Sequence, residues 1–481
     1  MVSNKIYTVP QRGSPIGVSA LIVGAGIAGL YAALELWRQG IDVQIIERAP
    51  ARLTTGFEPT LWLGDGFTIA HQVIRSFRNW PYLAEKNKEI AFHPWVAWFN
   101  LKGEQLTEPR SIEDNAASQS QRDDKEGDSS QGLYRHSRPK FHLMLEKQLE
   151  ETGLKVQYGK RVTRYFDGEP EGNKRPGVEL DSGEVSEADL VIAADGIGSH
   201  STKATLGYEA RARSTGFAIY RATIPVEFVR SDSELMEKFD LLPNGHGLVQ
   251  LWFGKTTQAT WEANESWTKH VSPQQVIDDT TSKIEGWPDY VNRLISLTPD
   301  DRLIDFELVW RDPQPVWTSP SGRIVQIGDA AHTFFPASGN GANQGLEDAI
   351  SLAKCLRIAG KEHVAEATKV HNKLRFERVS CLQKIGICSQ ASQYGQEGNK
   401  SASSVPKYVR ALMASWIWKQ DPEAYAAEKY HEALSALRDG VPFRNTNIPE
   451  SHTYQPWTFE DILNEFKAKG DYELGDDGWW N

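Results

Sequence analysis

Residues 18–47 read VSALIVGAGIAGLYAALELWRQGIDVQIIE, and they set the fold. VSALIV is an apolar run that ends in glycines. The next segment carries apolar residues at helical spacing, Ile27, Leu30 and Leu34, and stops at Gly40. IDVQIIE is a second apolar run. Strand, turn, helix, strand is a βαβ unit, which joins two parallel strands. The turn itself is Gly24-Ala25-Gly26-Ile27-Ala28-Gly29. In this pattern Gly24 permits the tight turn, Gly26 lets the backbone approach a pyrophosphate, and Gly29 lets helix and strand pack closely. Free N–H groups at the helix start can then hold phosphates. Glu47, at the end of the second strand, is placed to accept from a ribose hydroxyl.

Two further motifs follow apolar runs. One is Asp195-Gly196-Ile197-Gly198-Ser199 after DLVIAA, a turn that carries little meaning alone. The other is Gly328-Asp329-Ala330-Ala331-His332 after RIVQI, continued by Pro336, Gly339, Gly341, Asn343, Gln344, Glu347 and Asp348. A strand delivers Asp329, whose carboxylate can hold a ribityl or ribose hydroxyl. The glycines bring backbone N–H groups to the start of a helix expected from Gly341 to about Leu356. The positive end of that helix suits an anionic ring edge, such as the N1–C2=O edge of a reduced flavin.

Composition narrows the partners. The chain has 481 residues, enough for two to three structural units. Its net charge of -11 argues against nucleic acid and against an anionic membrane surface, both of which call for a positive face. The polar start MVSNKIYTVPQRGSP resembles no secretory leader, and no apolar run is long enough to span a bilayer. The cysteines Cys355, Cys381 and Cys388 form no CxxC pair and read as reduced thiols of a cytoplasmic protein. No set of residues at metal-ligand spacing stands out, so no metal is expected. The 16 tryptophans suggest an aromatic-lined ligand cavity.

Residues 103–132, GEQLTEPRSIEDNAASQSQRDDKEGDSSQG, are too polar to offset their ordering entropy and read as a mobile surface insert within a domain. Residues 139–152 read as helix and 161–192 as strands and turns. Short β-like runs, GFAIYRATI and GLVQLWF, precede a helix expected near 274–295. The region after about 400 is tryptophan-rich and partly helical.

Together these motifs resemble the FAD-dependent aromatic hydroxylases (group A flavoprotein monooxygenases), in particular the salicylate-hydroxylase-like branch of fungal natural-product enzymes. GRIVQIGDAAHTFFPASGNGANQGLEDAISLAKCL is similar to that family's flavin motif nearly throughout, and VIAADGIGS to its Asp-Gly motif. SRPKFHLML resembles an Arg-x-x-Leu helix start that sets Arg138 against the FAD, and LVWRDPQPVWTSPSGR also fits the branch. The resemblance implies an α/β fold: a GxGxxG-type FAD-binding domain with an inserted β-sheet substrate domain and a helical C-terminal region. The expected parts are 18–206 and 322–400 for FAD, mainly 207–321 for substrate, and 401–481 for the C-terminal region. FAD is expected to be non-covalent, with Gly24, Gly26, Gly29, Glu47, Arg48, Gly66, Arg138, Asp195, Gly328, Asp329, Pro336, Gly341, Ala342 and Asn343 around it. NADPH or NADH is expected as a transient co-substrate, which the lack of a second GxGxxG turn fits. One oxygen atom of dioxygen would pass, through a flavin C4a-hydroperoxide, to a bulky aromatic or heteroaromatic small molecule in secondary metabolism. Arg221, of the Tyr220-Arg221 element, is expected to point into the substrate cavity. The implied enzyme is a monomer or homodimer.

The chain departs from the family pattern at three places. Thr202 and Lys203 stand where the Asp-Gly motif usually ends in arginine. Thr333 follows His332 in place of proline. WFGKTTQATW offers Trp261 near the position where phenol-hydroxylating relatives carry tyrosine, which favours stacking on a larger ring system. His332 itself could act chemically or only hold structure. A flavin enzyme without oxygenation is the nearest rival, but a halogenase would carry Trp-x-Trp-x-Ile-Pro, and here only Trp416-Ile417-Trp418-Lys419 occurs. A non-enzymatic flavin-fold binding protein is the other rival, and it would have no need of the flavin-edge motif.

Overall fold

The computed structural model describes residues 10–51, 66–111, 134–168, 174–222, 224–253, 268–395, 411, 414–450 and 452–469. At its centre lies a five-stranded sheet in the order β16-β11-β1-β2-β7. Its strands are β1 (Ser19–Val23), β2 (Asp42–Ile46), β7 (Val156–Gln157), β11 (Leu190–Ala193) and β16 (Ile324–Gln326), every pair parallel. A parallel sheet is covered on both faces, which is why β1 reads as an unbroken apolar run. Ala20 and Ile22 join one core with the helices, while Leu21 and Val23 join another with Tyr165, Val178 and Leu180. The second core is roofed by an antiparallel sheet of β8 (Val162–Phe166), β9 (Gly177–Leu180) and β10 (Val185–Glu187).

The longer helices, numbered in order, are α1 (Ile27–Arg38), α2 (Pro81–Ile90), α3 (Arg138–Glu151), α4 (Pro273–Lys283), α5 (Asp289–Ser296), α6 (Gly341–Ala359), α7 (Val364–Gly395), α8 (Pro422–Asp439) and α9 (Phe459–Lys469). α1 and α6 pack side by side over the central sheet, and α8 packs on α6 and α7. The helix expected over 274–295 is two, α4 and α5. Gly286 takes φ +78° and Pro288 follows, so the helical hydrogen-bond pattern cannot run through.

The remaining strands build a second β region. β12 (Arg213–Ala222) and β14 (Thr268–His270) flank β15 (Leu303–Trp310) in antiparallel pairs. β13 (Leu248–Phe253) pairs in parallel with β4 (Trp95–Asn100), which pairs with β5 (Arg110–Ser111). Residues 95–111 therefore share a sheet with β13, although the sequence places them between FAD-binding segments. The start of the expected insert is likewise ordered: Gln105 bridges Phe99, Leu106 N–H donates to Trp98 O, and β5 is paired. Its positions 112–132 lie outside the described residues. A last hairpin joins β3 (Gly66–Ile69) to β6 (Tyr134–Ser137).

Candidate active site at the carboxyl edge of the parallel sheet

The register of the central sheet puts Val23 beside both Ile46 and Ala193, and Ala193 beside Gln326. The chain therefore leaves β2, β1, β11 and β16 along one edge. It carries there, in a row, Glu47, the Gly24–Gly29 turn, the Asp195 turn and the Gly328–Asp329 turn. The crevice outside the carboxyl ends of parallel strands is the usual ligand position in such sheets.

The three glycines differ in what surrounds them. Gly24 takes φ +103°, and a Cβ there would stand 2.5 Å from Ala194 O. A Cβ on Gly29 would stand 2.0 Å from Gly24 O, so helix and turn touch through this residue. A Cβ on Gly26 would meet nothing within 4 Å. Neither α1 nor α6 has a side-chain cap at its start, so their first N–H groups keep donor capacity for a ligand. Glu47 braces the turn: its oxygens accept from Ala25 N–H at 2.8 Å and Ala49 N–H at 2.9 Å. Each oxygen keeps a further lone pair for a ribose hydroxyl. Arg48 is exposed beside it.

Asp195 accepts from the Tyr165 hydroxyl at 2.7 Å, and its other oxygen, Oδ1, is buried with no partner. Burial raises its carboxyl pKa, against the hydrogen bonds of Ser199 and Tyr165. Asp329 is exposed at its turn. Gly328 takes φ +58°, and a Cβ on it would stand 3.0 Å from the Ala28 side chain, so the flavin-edge motif presses directly on α1.

Asn343 is buried and fully committed. Its Nδ2 donates to Thr68 O at 2.9 Å and Gly339 O at 3.0 Å, and its Oδ1 accepts from Ala70 N–H at 2.9 Å. It pins the end of β3 and the Pro336–Gly339 loop to the first turn of α6. Its side-chain amide thus braces these segments. Arg138 is exposed at the start of α3, with its guanidinium 5.6 Å from the Phe67 ring.

His332 does not stand at an open site. It is 3% exposed, and its Nε2 lies 2.7 Å from Asp348 Oδ2. Asp348 also accepts from Gly328 N–H at 3.0 Å and Arg375 Nε at 2.9 Å. Glu347 pairs with Arg375 at 2.5 Å and Arg378 at 2.9 Å. Burial pushes both carboxyls up, but neighbouring side chains outweigh it: Arg378 and Arg375 hold Glu347 down, and His332 and Arg375 hold Asp348 well below the usual range. Through Asp348, His332 is held against the flavin-edge turn. It ties the flavin-edge turn to α6 and α7.

Arg221 sits on β12, with its guanidinium carbon 3.8 Å from the Phe306 ring centroid. Strand alternation puts Phe217, Ile219 and Arg221 on one face, opposite Leu308, Phe306 and Ile304. Phe217, Ile219 and Phe306 pack against a cluster of Trp310, Phe335, Trp457 and Phe459. Phe335 immediately precedes Pro336, so this aromatic face abuts the flavin-edge loop. Trp261 lies outside the described residues.

These features fit FAD: an open cradle at Gly26, an orphaned buried oxygen on Asp195, uncapped helix starts, and an exposed carboxylate at Asp329. The family pattern described as FAD binding domain matches residues 17–368. FAD-dependent monooxygenase fsr3 of Gibberella fujikuroi is 36% identical over 97% of this chain and 90% of its own length. The chain belongs to the FAD-dependent monooxygenases. Among solved structures, CtdE in complex with FAD and a substrate aligns with TM-score 0.75 at 24% identity, over 88% of this chain and 100% of its own. A salicylate hydroxylase substrate complex aligns with TM-score 0.63 at 21% identity, over 86% and 98%. Both show the same fold.

In this monooxygenase several site residues carry no sequence signal of their own. His142, one turn into α3, has Nε2 2.7 Å from Ala25 O in the glycine turn. Arg311 donates to the carbonyls of Asp329 and Ala330. Only the WRDP context of Arg311 hinted at it. Arg375 and Arg378 sit in the middle of a 32-residue helix, where no motif marks them. Among the described residues, no cluster of His, Cys, Asp or Glu could hold a metal. No described helix is long and apolar enough to cross a membrane, and all three cysteines are free and buried.

Proposed function

We propose that the enzyme consumes NADPH or NADH and dioxygen and inserts one oxygen atom into a bulky aromatic or heteroaromatic small molecule of secondary metabolism. The observation that carries this reading is the position of Arg221. It stands on an aromatic face that runs directly into the flavin-edge loop. Bound FAD would supply dioxygen activation, a chemistry that no side chain provides. The protein's share is placement and exclusion of water. Asp195, Asp329, Glu47 and the starts of α1 and α6 would hold the cofactor. Arg221 would orient an anionic oxygen of the substrate, a phenolate or enolate, by a charge-assisted hydrogen bond. Phe217 and Phe306, only partly buried, would offer ring surface to a flat substrate, backed by the buried Phe335, and keep water out of the reacting volume.

The test is a balance sheet of turnover. With purified holoenzyme, a panel of polycyclic phenols and labelled dioxygen, one equivalent of NADPH or NADH should yield one equivalent of product carrying one labelled oxygen atom. Oxidation of the nicotinamide with peroxide as the sole oxygen product, across the panel, would point to an oxidase. FAD binding without any nicotinamide oxidation would point to a binding protein.

A further inference from the structure

Arg311 directly follows β15 and is 5% exposed. Its guanidinium is held by carbonyls. Nη2 donates to Ala330 O at 2.6 Å and Asp329 O at 3.2 Å, and Nη1 to Ala210 O at 3.5 Å. Its Nε is buried with no partner. No carboxylate among the described residues forms an ion pair with it. Burial lowers its pKa, and the attraction of Asp329 and Asp195 offsets this only in part. A buried guanidinium without an anionic partner is costly, and a cation so perturbed beside a ligand crevice is a candidate for binding an anionic ligand.

The group is also locked in place. Thr333 Oγ1 accepts from Arg311 N–H at 3.1 Å and donates to Arg311 O at 3.1 Å, while Thr333 O accepts from Gln383 Nε2 at 2.8 Å. Thr333 is one of the places where this chain departs from the family pattern, and a proline there would have no hydroxyl to make this clamp. The site also carries the carboxylates of Asp195 and Asp329. A reduced flavin held by these residues would bring further negative charge to the site, which the carboxylates would oppose.

We propose that Arg311, clamped by Thr333, is a positioning residue for FAD: it fixes the Asp329–Ala330 turn, and its charge is completed by the anionic reduced cofactor. The two parts separate experimentally. Apoprotein variants are titrated with FAD by flavin fluorescence, and the midpoint potential of each holoprotein is measured. Arg311→Met should weaken FAD binding at least tenfold and lower the potential, because reduced cofactor loses at least tenfold relative to oxidised, a shift of about 30 mV for two electrons. Thr333→Val keeps the charge and breaks the clamp. It should weaken binding severalfold with the potential unmoved, and Thr333→Ser should restore binding. If Arg311→Met fails to fold, Arg311→Lys decides the matter: it keeps the charge but cannot reach all three carbonyls, so the potential should hold while binding weakens. Parental binding and potential in Arg311→Met would overturn the proposal. So would parental binding in Arg311→Lys, or a Thr333→Val potential as low as that of Arg311→Met.

Discussion

Gly26 is the position where a side chain would harm the cofactor and spare the fold. A Cβ there meets no protein atom within 4 Å, whereas one on Gly24 or Gly29 would collide with backbone. Gly26→Val should therefore leave a folded protein that takes up no FAD, while Gly29→Val should lose the fold itself. Circular dichroism and flavin absorbance together check this, and a yellow Gly26→Val protein would mean that the pyrophosphate lies elsewhere. Arg221 makes a different prediction. If it holds an anionic substrate oxygen, Arg221→Met should lower product formation about ten- to a hundredfold, the equivalent of a charge-assisted hydrogen bond of roughly 1.5–3 kcal/mol. FAD content should be unchanged, since Arg221 lies on β12 and not on a cofactor loop. Equal turnover in the two proteins would return Arg221 to a packing role against Phe306. At this scale the motif marks Asn343 but not the three side-chain hydrogen bonds by which it ties β3 and the Pro336–Gly339 loop to α6, since two of those partners lie far away in the chain.

Helices α6 and α7 carry the connection between the flavin edge and the C-terminal region. Arg378, on α7, pairs with Glu347 of α6 and donates to the carbonyls of Trp416, Ile417 and Asn447. The group is fully buried on both sides of the ion pair. Removing the cation leaves Glu347 buried with half its compensation and frees three carbonyls. Arg378→Met should cost about 3–5 kcal/mol, and proteolysis should cut first near residues 411–450. A variant that melts with the parent would show that the C-terminal segment is held by its apolar contacts alone. The sequence read elements by period and punctuation. It foresaw α1, α3 and α6, and it merged α4 with α5 because amphipathic spacing continues on both sides of Gly286 and Pro288. It also treated 103–111 as loose, because polar composition gave no sign of the strand partners supplied by β4.

At the scale of the whole molecule, two buried histidines contribute to the response to acid. Burial holds His371 down at about 4, with Asp348 opposing, and holds His136 down at about 4 as well. An unfolded histidine takes its proton near pH 6.5. Between about pH 6.5 and about 4 the unfolded chain thus binds more protons than the folded one, and stability falls as pH falls, by up to tenfold in the folding equilibrium per pH unit per histidine. Below about 4 the depressed carboxyls of Glu347 and Asp348 add to the loss. The urea midpoint should drop between pH 7 and pH 5, and His371→Gln should flatten that slope; an unchanged midpoint would exclude this account. Local sequence was enough to determine the βαβ unit, the glycine turn and the flavin-edge motif, because each depends on neighbours a few residues apart whose backbone needs leave a compositional mark. It was not enough to show that four strand ends align, that Asn343 and Thr333 lock loops together, or that Arg311, Arg375 and Arg378 are buried charges. Those facts depend on partners brought together from across the chain, and an arginine's residue type is the same whether it faces water or a buried carboxylate.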